Sequence, residues 1–316
     1  MSNTEWWSKK LKEFVDDAKP FLKIHQDVVE DKKNGHWSVI KHMLLSYFIP
    51  MYTSIITSKK NYFKNCIYVD LFAGSGIHEL GLSNGSVFTT GSSLAAICKS
   101  QGKFSEMIFC DKAKKKISAL RARIDSIRGK YNNCKFTVTD PMDVNKVVPK
   151  VIDIIDSYGK SAHTLFFIDP FGMSLDFEKF KMILERTSSD IFLYFNSDKY
   201  MQQVNAGKKG HAPEKNNLFF GGDYWRNASS SQELYRLFKE KILPYRNLIK
   251  EFDIMKNANN VAYKIMVCTR KTRGGSPWLD RYEKWVSKRI ANETGQTIRT
   301  KLEIQYGPQM TLDDYF

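Results

Sequence analysis

Three short strings in this 316-residue chain put polar groups directly after apolar runs. Buried parallel strands deliver chemistry at their carboxyl ends in this way. The first string is Ile67-Tyr68-Val69-Asp70-Leu71-Phe72-Ala73-Gly74-Ser75-Gly76, in which the glycines let a ligand approach the backbone. An ordinary strand with a glycine-rich turn is the plainer alternative. The second is the apolar run at 105–110, closed by Asp111-Lys112. An acidic residue there can accept hydrogen bonds from both hydroxyls of a ribose, or else N-cap the helix that follows. The third is Thr164-Leu165-Phe166-Phe167-Ile168 followed by Asp169-Pro170-Phe171-Gly172. An aromatic amine has its lone pair delocalised into the ring, so a catalyst must offer acceptors to its N–H groups. The Asp169 side chain and the Pro170 carbonyl are suited to that, and the Phe171 ring to stacking on an extruded base. Asp-Pro also initiates turns after any strand, which is the alternative here.

The string Asp70-Leu71-Phe72-Ala73-Gly74-Ser75-Gly76 resembles the first motif of the class I S-adenosylmethionine (SAM) methyltransferases. The resemblance implies SAM as cofactor, with its amino-acid end at Gly74, Ser75 and Gly76, flanked by Phe72 and Ala73. Asp70 would anchor the loop or the SAM ammonium, and Asp111 would bind the ribose. The gap from Asp70 to Asp111 is longer than the usual ~20 residues. Residues 77–91, rich in Gly, Ser, Asn and Thr, supply the excess as an insertion. A third strand at 134–138 would place Asp140 or Met142 beside the adenine ring. Base amino-methyltransferases carry D/N/S-P-P-Y/F in the third position. Here Phe171 replaces the second proline, so the string resembles the version of the tRNA guanine-N2 dimethyltransferases.

Composition bounds the rest. There are 49 Lys+Arg against 34 Asp+Glu, a net charge of +15, which favours a polyanionic partner. Basic residues cluster at Lys208-Lys209 and at Arg281, Lys284 and Lys288, the candidate nucleic-acid contacts. Trp278, Tyr282 and Trp285 interleave with the second group, as stacking surfaces or, at helical spacing, as core. The five cysteines show no C-x-x-C spacing and read as reduced thiols of a cytoplasmic protein, with no metal site expected. No run of ~20 uninterrupted apolar residues or signal peptide is present, so no membrane association is expected.

Periodicity then supplies the elements that must hold these groups. A basic amphipathic segment at 5–24 and a helix at 37–56, kinked or split by Pro50, form an N-terminal helical extension over 1–60. Strands at 67–72, 105–110, 134–138, 164–169 and 190–196 alternate with helices at 92–101, 112–128, 143–157 and 175–186. Such alternation predicts an α/β fold with a mostly parallel sheet and helices on both faces, and the motif resemblance implies its Rossmann-like class I methyltransferase form. Residues 197–230 form a long insertion and 231–249 a helix, and strands at 251–256 and 260–268 bring the sheet to seven. The catalytic domain would span 61–270, and a basic C-terminal helix and tail 271–316.

Beyond these motifs the chain, over about residues 36–290, resembles the three-Cys-motif partner proteins. The residues that carry the likeness are His36, Lys41-His42, the glycine string, Gly91-Ser92-Ser93, the Asp169 string, Phe219-Phe220-Gly221 with Trp225-Arg226, and Tyr263. That resemblance implies a protein partner with three cysteines and a role in defence or nucleic-acid modification. The leading reading is a SAM-dependent N-methyltransferase acting on an exocyclic amine of a base in RNA or DNA. The rivals are a fold used only to bind nucleic acid or a partner, a methyltransferase of proteins or small molecules, and a defence effector with other chemistry.

Overall fold

The computed structural model describes residues 2–30, 35–59, 61–257, 260–271 and 276–307. Its centre is a seven-stranded sheet in the order β5-β4-β1-β6-β7-β9-β8. The strands are β1 (Asn65–Asp70), β4 (Glu106–Phe109), β5 (Lys135–Val138), β6 (Ala162–Ile168), β7 (Ser189–Phe195), β8 (Leu248–Asn257) and β9 (Asn260–Thr269). β1 pairs in parallel with both β4 and β6, and only β9 runs antiparallel to its neighbours β7 and β8. This is the expected α/β, Rossmann-like class I methyltransferase architecture. The glycine turn and the Asp169 string leave the carboxyl ends of adjacent strands, so the two motifs converge.

The period of two along each strand sorts the core into two layers. Tyr68, Phe109, Phe167 and Tyr194 face a layer that includes α1 (Asn3–Ala18), α2 (Trp37–Ser58), α3 (Ser92–Ser100), α10 (Pro277–Arg289) and α11 (Gly295–Tyr306). Val69, Ile108, Ile168 and Phe195 face the other, with α5 (Val144–Asp156), α6 (Phe177–Leu184) and α9 (Ser231–Ile242). α2 is long and apolar enough to cross a membrane by length and composition alone, yet 67% of its apolar window is buried, as befits a core helix. Pro50 sits inside α2 without splitting it, because packing of Phe48, Ile49 and Tyr52 outweighs one lost backbone bond.

Several elements differ from the sequence reading. The insertion at 77–91 is a hairpin of β2 (Ile77–Leu82) and β3 (Gly85–Thr90), turning at Ser83-Asn84 before a glycine. The insertion at 197–230 is largely helical, as α7 (Ser197–Lys208) and α8 (Pro213–Phe220). The helix expected over 231–249 stops at Ile242, one residue ahead of Leu243-Pro244, where the pre-proline position disfavours helix. The segment after α1 does not trail off. Arg123, fully buried on α4 (Lys114–Asp125), donates to the carbonyls of Ile24, His25 and Val28 and to that of Ser75 in the glycine turn. One guanidinium thus fastens the N-terminal segment to the site.

Replacing Arg123 with Met leaves those carbonyls, of which that of Ser75 is buried, without their donor. The expected loss is about 3 kcal/mol or more of unfolding free energy in urea, with faster amide exchange confined to residues around 22–30. A loss under about 1 kcal/mol would mean that those carbonyls find other donors.

Candidate active site

The glycine turn is shaped by where its amides point. Gly74 and Gly76 both have positive φ, 60° and 86°, which L side chains adopt only with strain. A Cβ on Gly74 would lie 2.6 Å from Glu30 Oε1, so only glycine lets that carboxylate approach. Four consecutive N–H groups of the turn are bound within the protein. Phe72 N–H donates to Asp70 Oδ1 (3.1 Å), Ala73 to the Cys110 carbonyl (2.8 Å), Gly74 to Asp111 Oδ2 (3.1 Å) and Ser75 to Glu30 Oε1 (2.8 Å). Asp70 also accepts from Ser92 Oγ at 2.7 Å and is fully buried beneath the turn. Burial pushes its carboxyl up to about 7, against the pull of the Ser92 and Phe72 bonds, with Asp169 and Asp111 adding to the rise.

Above the turn opens a cleft of about 340 Å³, within the range of small-molecule sites. Phe72, Ala73, Gly74, Asp111 and Met142 line it, and so do Asp169, Pro170, Phe171 and Gly172. The two motifs that the sequence singled out therefore share one space. Two expectations need correction. Ser75 and Gly76 do not reach the cleft, since the chain buries them behind the turn; Asp70 is buried too, where it anchors the loop, one of the two roles the sequence offered it. Asp140 lies outside it as well, its side chain 88% exposed and paired with Arg121, whereas Met142 lines it. The alternative role of Asp111 as N-cap of α4 is not seen, since that helix starts from Ala113 without a side-chain cap. The second Asp111 oxygen accepts from Ala113 N–H at 2.7 Å, an Asx-type turn that holds the carboxylate at the rim.

The Asp169 side carries partners that no spacing rule could have found. Lys41, buried on α2, forms a close ion pair with Asp169 Oδ2, while Oδ1 has no protein partner among the described residues. Burial works against the Lys41 charge, yet the Asp169 carboxylate carries the ammonium above its ordinary range. Tyr194 and Tyr263 flank it, with ring centroids at 5.1 and 5.8 Å, and Tyr194 Oη donates to the Lys41 carbonyl. Phe171 is 81% exposed, with the Lys199 ammonium 4.2 Å from its ring centroid. His42 and His78 meet edge to face at 4.7 Å, and the Nδ1 of each is buried without a partner. Burial holds both imidazoles well below the usual range, His78 at about 4. Lys41-His42 and Tyr263 figured in the family resemblance. Glu30 and His78 carried no signal in the sequence.

The basic cluster is not brought together. None of Lys208, Lys209, Arg281, Lys284 and Lys288 lines the cleft, and Lys208 donates to the Ala228 carbonyl at 2.5 Å. The three on α10 are exposed. The aromatics among them are core: Tyr282 is fully buried, Trp285 stacks on Tyr47 at 3.7 Å, and Trp278 meets Phe48 edge-on.

No protein-family model matches the chain, and no curated protein does. Among solved structures it is similar to protein LPL1258 from Legionella pneumophila, family-model DUF519, at 12% identity and a TM-score of 0.46, over 82% of this chain and 94% of that one. It is also similar to the plantazolicin methyltransferase BpumL in complex with SAH, at 12% identity and 0.32, over 85% and 100%. With a monoazolic desmethylPZN analog and SAH, the same enzyme gives 13% and 0.30, over 84% and 100%. Likenesses this loose bear no functional weight, and the fold rests on the strand order and register.

Asp70 yields a pH prediction. A carboxyl raised in the folded state binds its proton more tightly there than in the unfolded chain. Its contribution to stability is therefore largest below the unfolded value of 3.8 and is lost as pH climbs to about 7. Asp70→Asn keeps an acceptor for Phe72 and cannot ionise. Relative to the parent, it should gain stability in urea between pH 5 and pH 8, by at most about 3 kcal/mol at about 1.4 kcal/mol per pH unit up to about pH 7. An unchanged difference across that range would show that Asp70 does not titrate in the folded protein.

Proposed function

We propose that this protein is a SAM-dependent N-methyltransferase whose acceptor is an exocyclic amine of a nucleobase in RNA or DNA. The observation that carries the reading is that one cleft is lined both by the glycine turn and by an Asp-Pro-Phe-Gly string with an exposed ring and a carboxylate oxygen that has no protein partner among the described residues. The residues fit the cofactor: the Asp111 carboxylate for ribose hydroxyls and Met142 for the adenine both line the cleft beside the glycine turn. Bound there, SAM would supply a methyl group on a sulfonium.

The chain's own part is positioning. Asp169 Oδ1 and the Pro170 carbonyl accept the two N–H bonds of the amine, so its lone pair turns out of conjugation and towards the methyl group. Lys41 holds the other Asp169 oxygen and fixes the direction of the carboxylate. Phe171, with Lys199 beside its ring, offers the face on which an extruded base stacks. Held there, SAM would supply its methyl to the nitrogen and leave as the neutral thioether, and the surplus proton of the amine would pass to water at the open rim. In-line alignment, not acid–base chemistry, supplies most of the rate. A protein partner with three cysteines, and a place in a defence system, follow from the family resemblance and belong to the same proposal.

Calorimetric titration with SAM, then transfer of tritiated methyl to total RNA, DNA and protein, tests the reading. Label in nucleic acid is expected, and SAM binding with label only in protein would overturn the substrate assignment. Asp169→Asn should lower kcat by about 100-fold with SAM affinity retained, whereas Phe171→Ala should act mainly on KM for the nucleic acid.

A separate test concerns the exposed stripe on α10. Replacing Arg281, Lys284 and Lys288 with Gln should lower the salt slope of nucleic-acid binding by roughly 0.7–0.9 per lost contact and leave SAM affinity alone. An unaltered slope would make the stripe a solvated face.

A further inference from the structure

The glycine turn has the wrong polarity for an anion. In phosphate- and carboxylate-binding loops, successive backbone N–H groups are left free to form a positive concavity. Here the amides of residues 72–75 are all bound within the protein, three of them by the carboxylates of Asp70, Asp111 and Glu30. The surface that the turn shows to the cleft is therefore acidic. Asp70 is buried beneath it and directed to Phe72 and Ser92, so it is not placed to meet a ligand cation.

Glu30 is placed to do so. It lines the cleft beside Gly74 and is 9% exposed. Burial opposes its charge, but His78, Lys116 and the Ser75 N–H hold the carboxyl below its ordinary range. The Lys116 ammonium, also on the cleft wall, lies 2.5 Å from Glu30 Oε2. Two of the roughly four acceptor sites of the carboxylate are used, by Ser75 and Lys116. Glu30 comes from the segment fastened by Arg123 and is bridged to the hairpin, with its N–H on the Ile77 carbonyl at 2.8 Å.

We infer that the Glu30–Lys116 pair is a clamp for a zwitterionic α-amino-acid head, Glu30 receiving the ammonium and Lys116 the carboxylate. This rests on the SAM reading of the cleft and names the residues that select an amino-acid-bearing nucleoside over a phosphate-bearing one. An ion pair laid against a zwitterion matches both charges at once, and it replaces the backbone amides that the turn no longer has to offer.

Calorimetry on the full chain separates the possibilities, with SAM, S-adenosylhomocysteine, 5′-methylthioadenosine (which lacks the amino-acid head) and decarboxylated SAM as probes. Glu30→Gln should weaken SAM and S-adenosylhomocysteine by about 10- to 100-fold and leave methylthioadenosine within about twofold. Lys116→Gln should weaken SAM but not decarboxylated SAM. Should Glu30→Gln fail to fold, Glu30→Asp keeps the charge but retracts it, and the same selective loss is expected. Equal weakening of every probe would overturn the clamp, reducing Glu30 to a support for the turn, and so would no weakening at all. A parent protein that binds none of the probes would instead remove the methyltransferase reading, and the clamp with it.

Discussion

One loop with no amide to spare sets the terms for the rest of this molecule. Asp70, Asp111 and Glu30 take the N–H groups of Phe72, Gly74 and Ser75 from three different stretches of chain. Hydrogen bonds from backbone N–H to carboxylates are charge-assisted, and here they fix the turn from below, from the side and from outside the sheet. The turn is correspondingly rigid, and it is anionic. Each carboxylate has a further tie, to Ser92, Ala113 or Lys116. The loop is therefore the meeting point of β1, the end of β4, α3, α4 and the N-terminal segment.

The N-terminal extension follows from this constraint. It contributes Glu30 to one wall of the cleft and, through α2, Lys41 and His42 to another. Lys41 reaches the Asp169 carboxylate, and its own carbonyl is held by Tyr194. The two acidic ends of the cleft are thus each paired with a lysine, Glu30 with Lys116 and Asp169 with Lys41. Pairing them keeps a small cleft polar and leaves one oxygen of Asp169 without a protein partner among the described residues.

The aromatic residues divide between packing and presentation. Tyr282 and Trp285 secure α10 to α2, through the Leu44 carbonyl and the Tyr47 ring, and so leave the stripe of Arg281, Lys284 and Lys288 outward. Phe171 does the opposite. It follows a proline, Tyr200 Oη meets the carbonyl of the next residue, Gly172, at 3.5 Å, and its ring projects into solvent.

What the sequence determined by itself was local. Apolar runs of strand length that end in Asp70, Asp111 and Asp169 specify buried parallel strands and which residues stand at their ends. Alternation of strand and helix patterns then specifies the layered sheet, and both glycines fall where φ is positive. Tertiary structure alone decided which of those residues face the cleft. Asp70 and Asp140 flank it in sequence as closely as Phe72 and Met142 do, yet one is buried below and the other points to solvent. It also decided that Glu30, Lys41 and His78 join them, from 91 to 139 residues away from Asp169 along the chain. The physical reason is that strand ends are fixed by backbone pairing and a period of two, which any short window records. The direction of a side chain at a turn, and the approach of a distant carboxylate, depend on burial and charge balance summed over the whole fold.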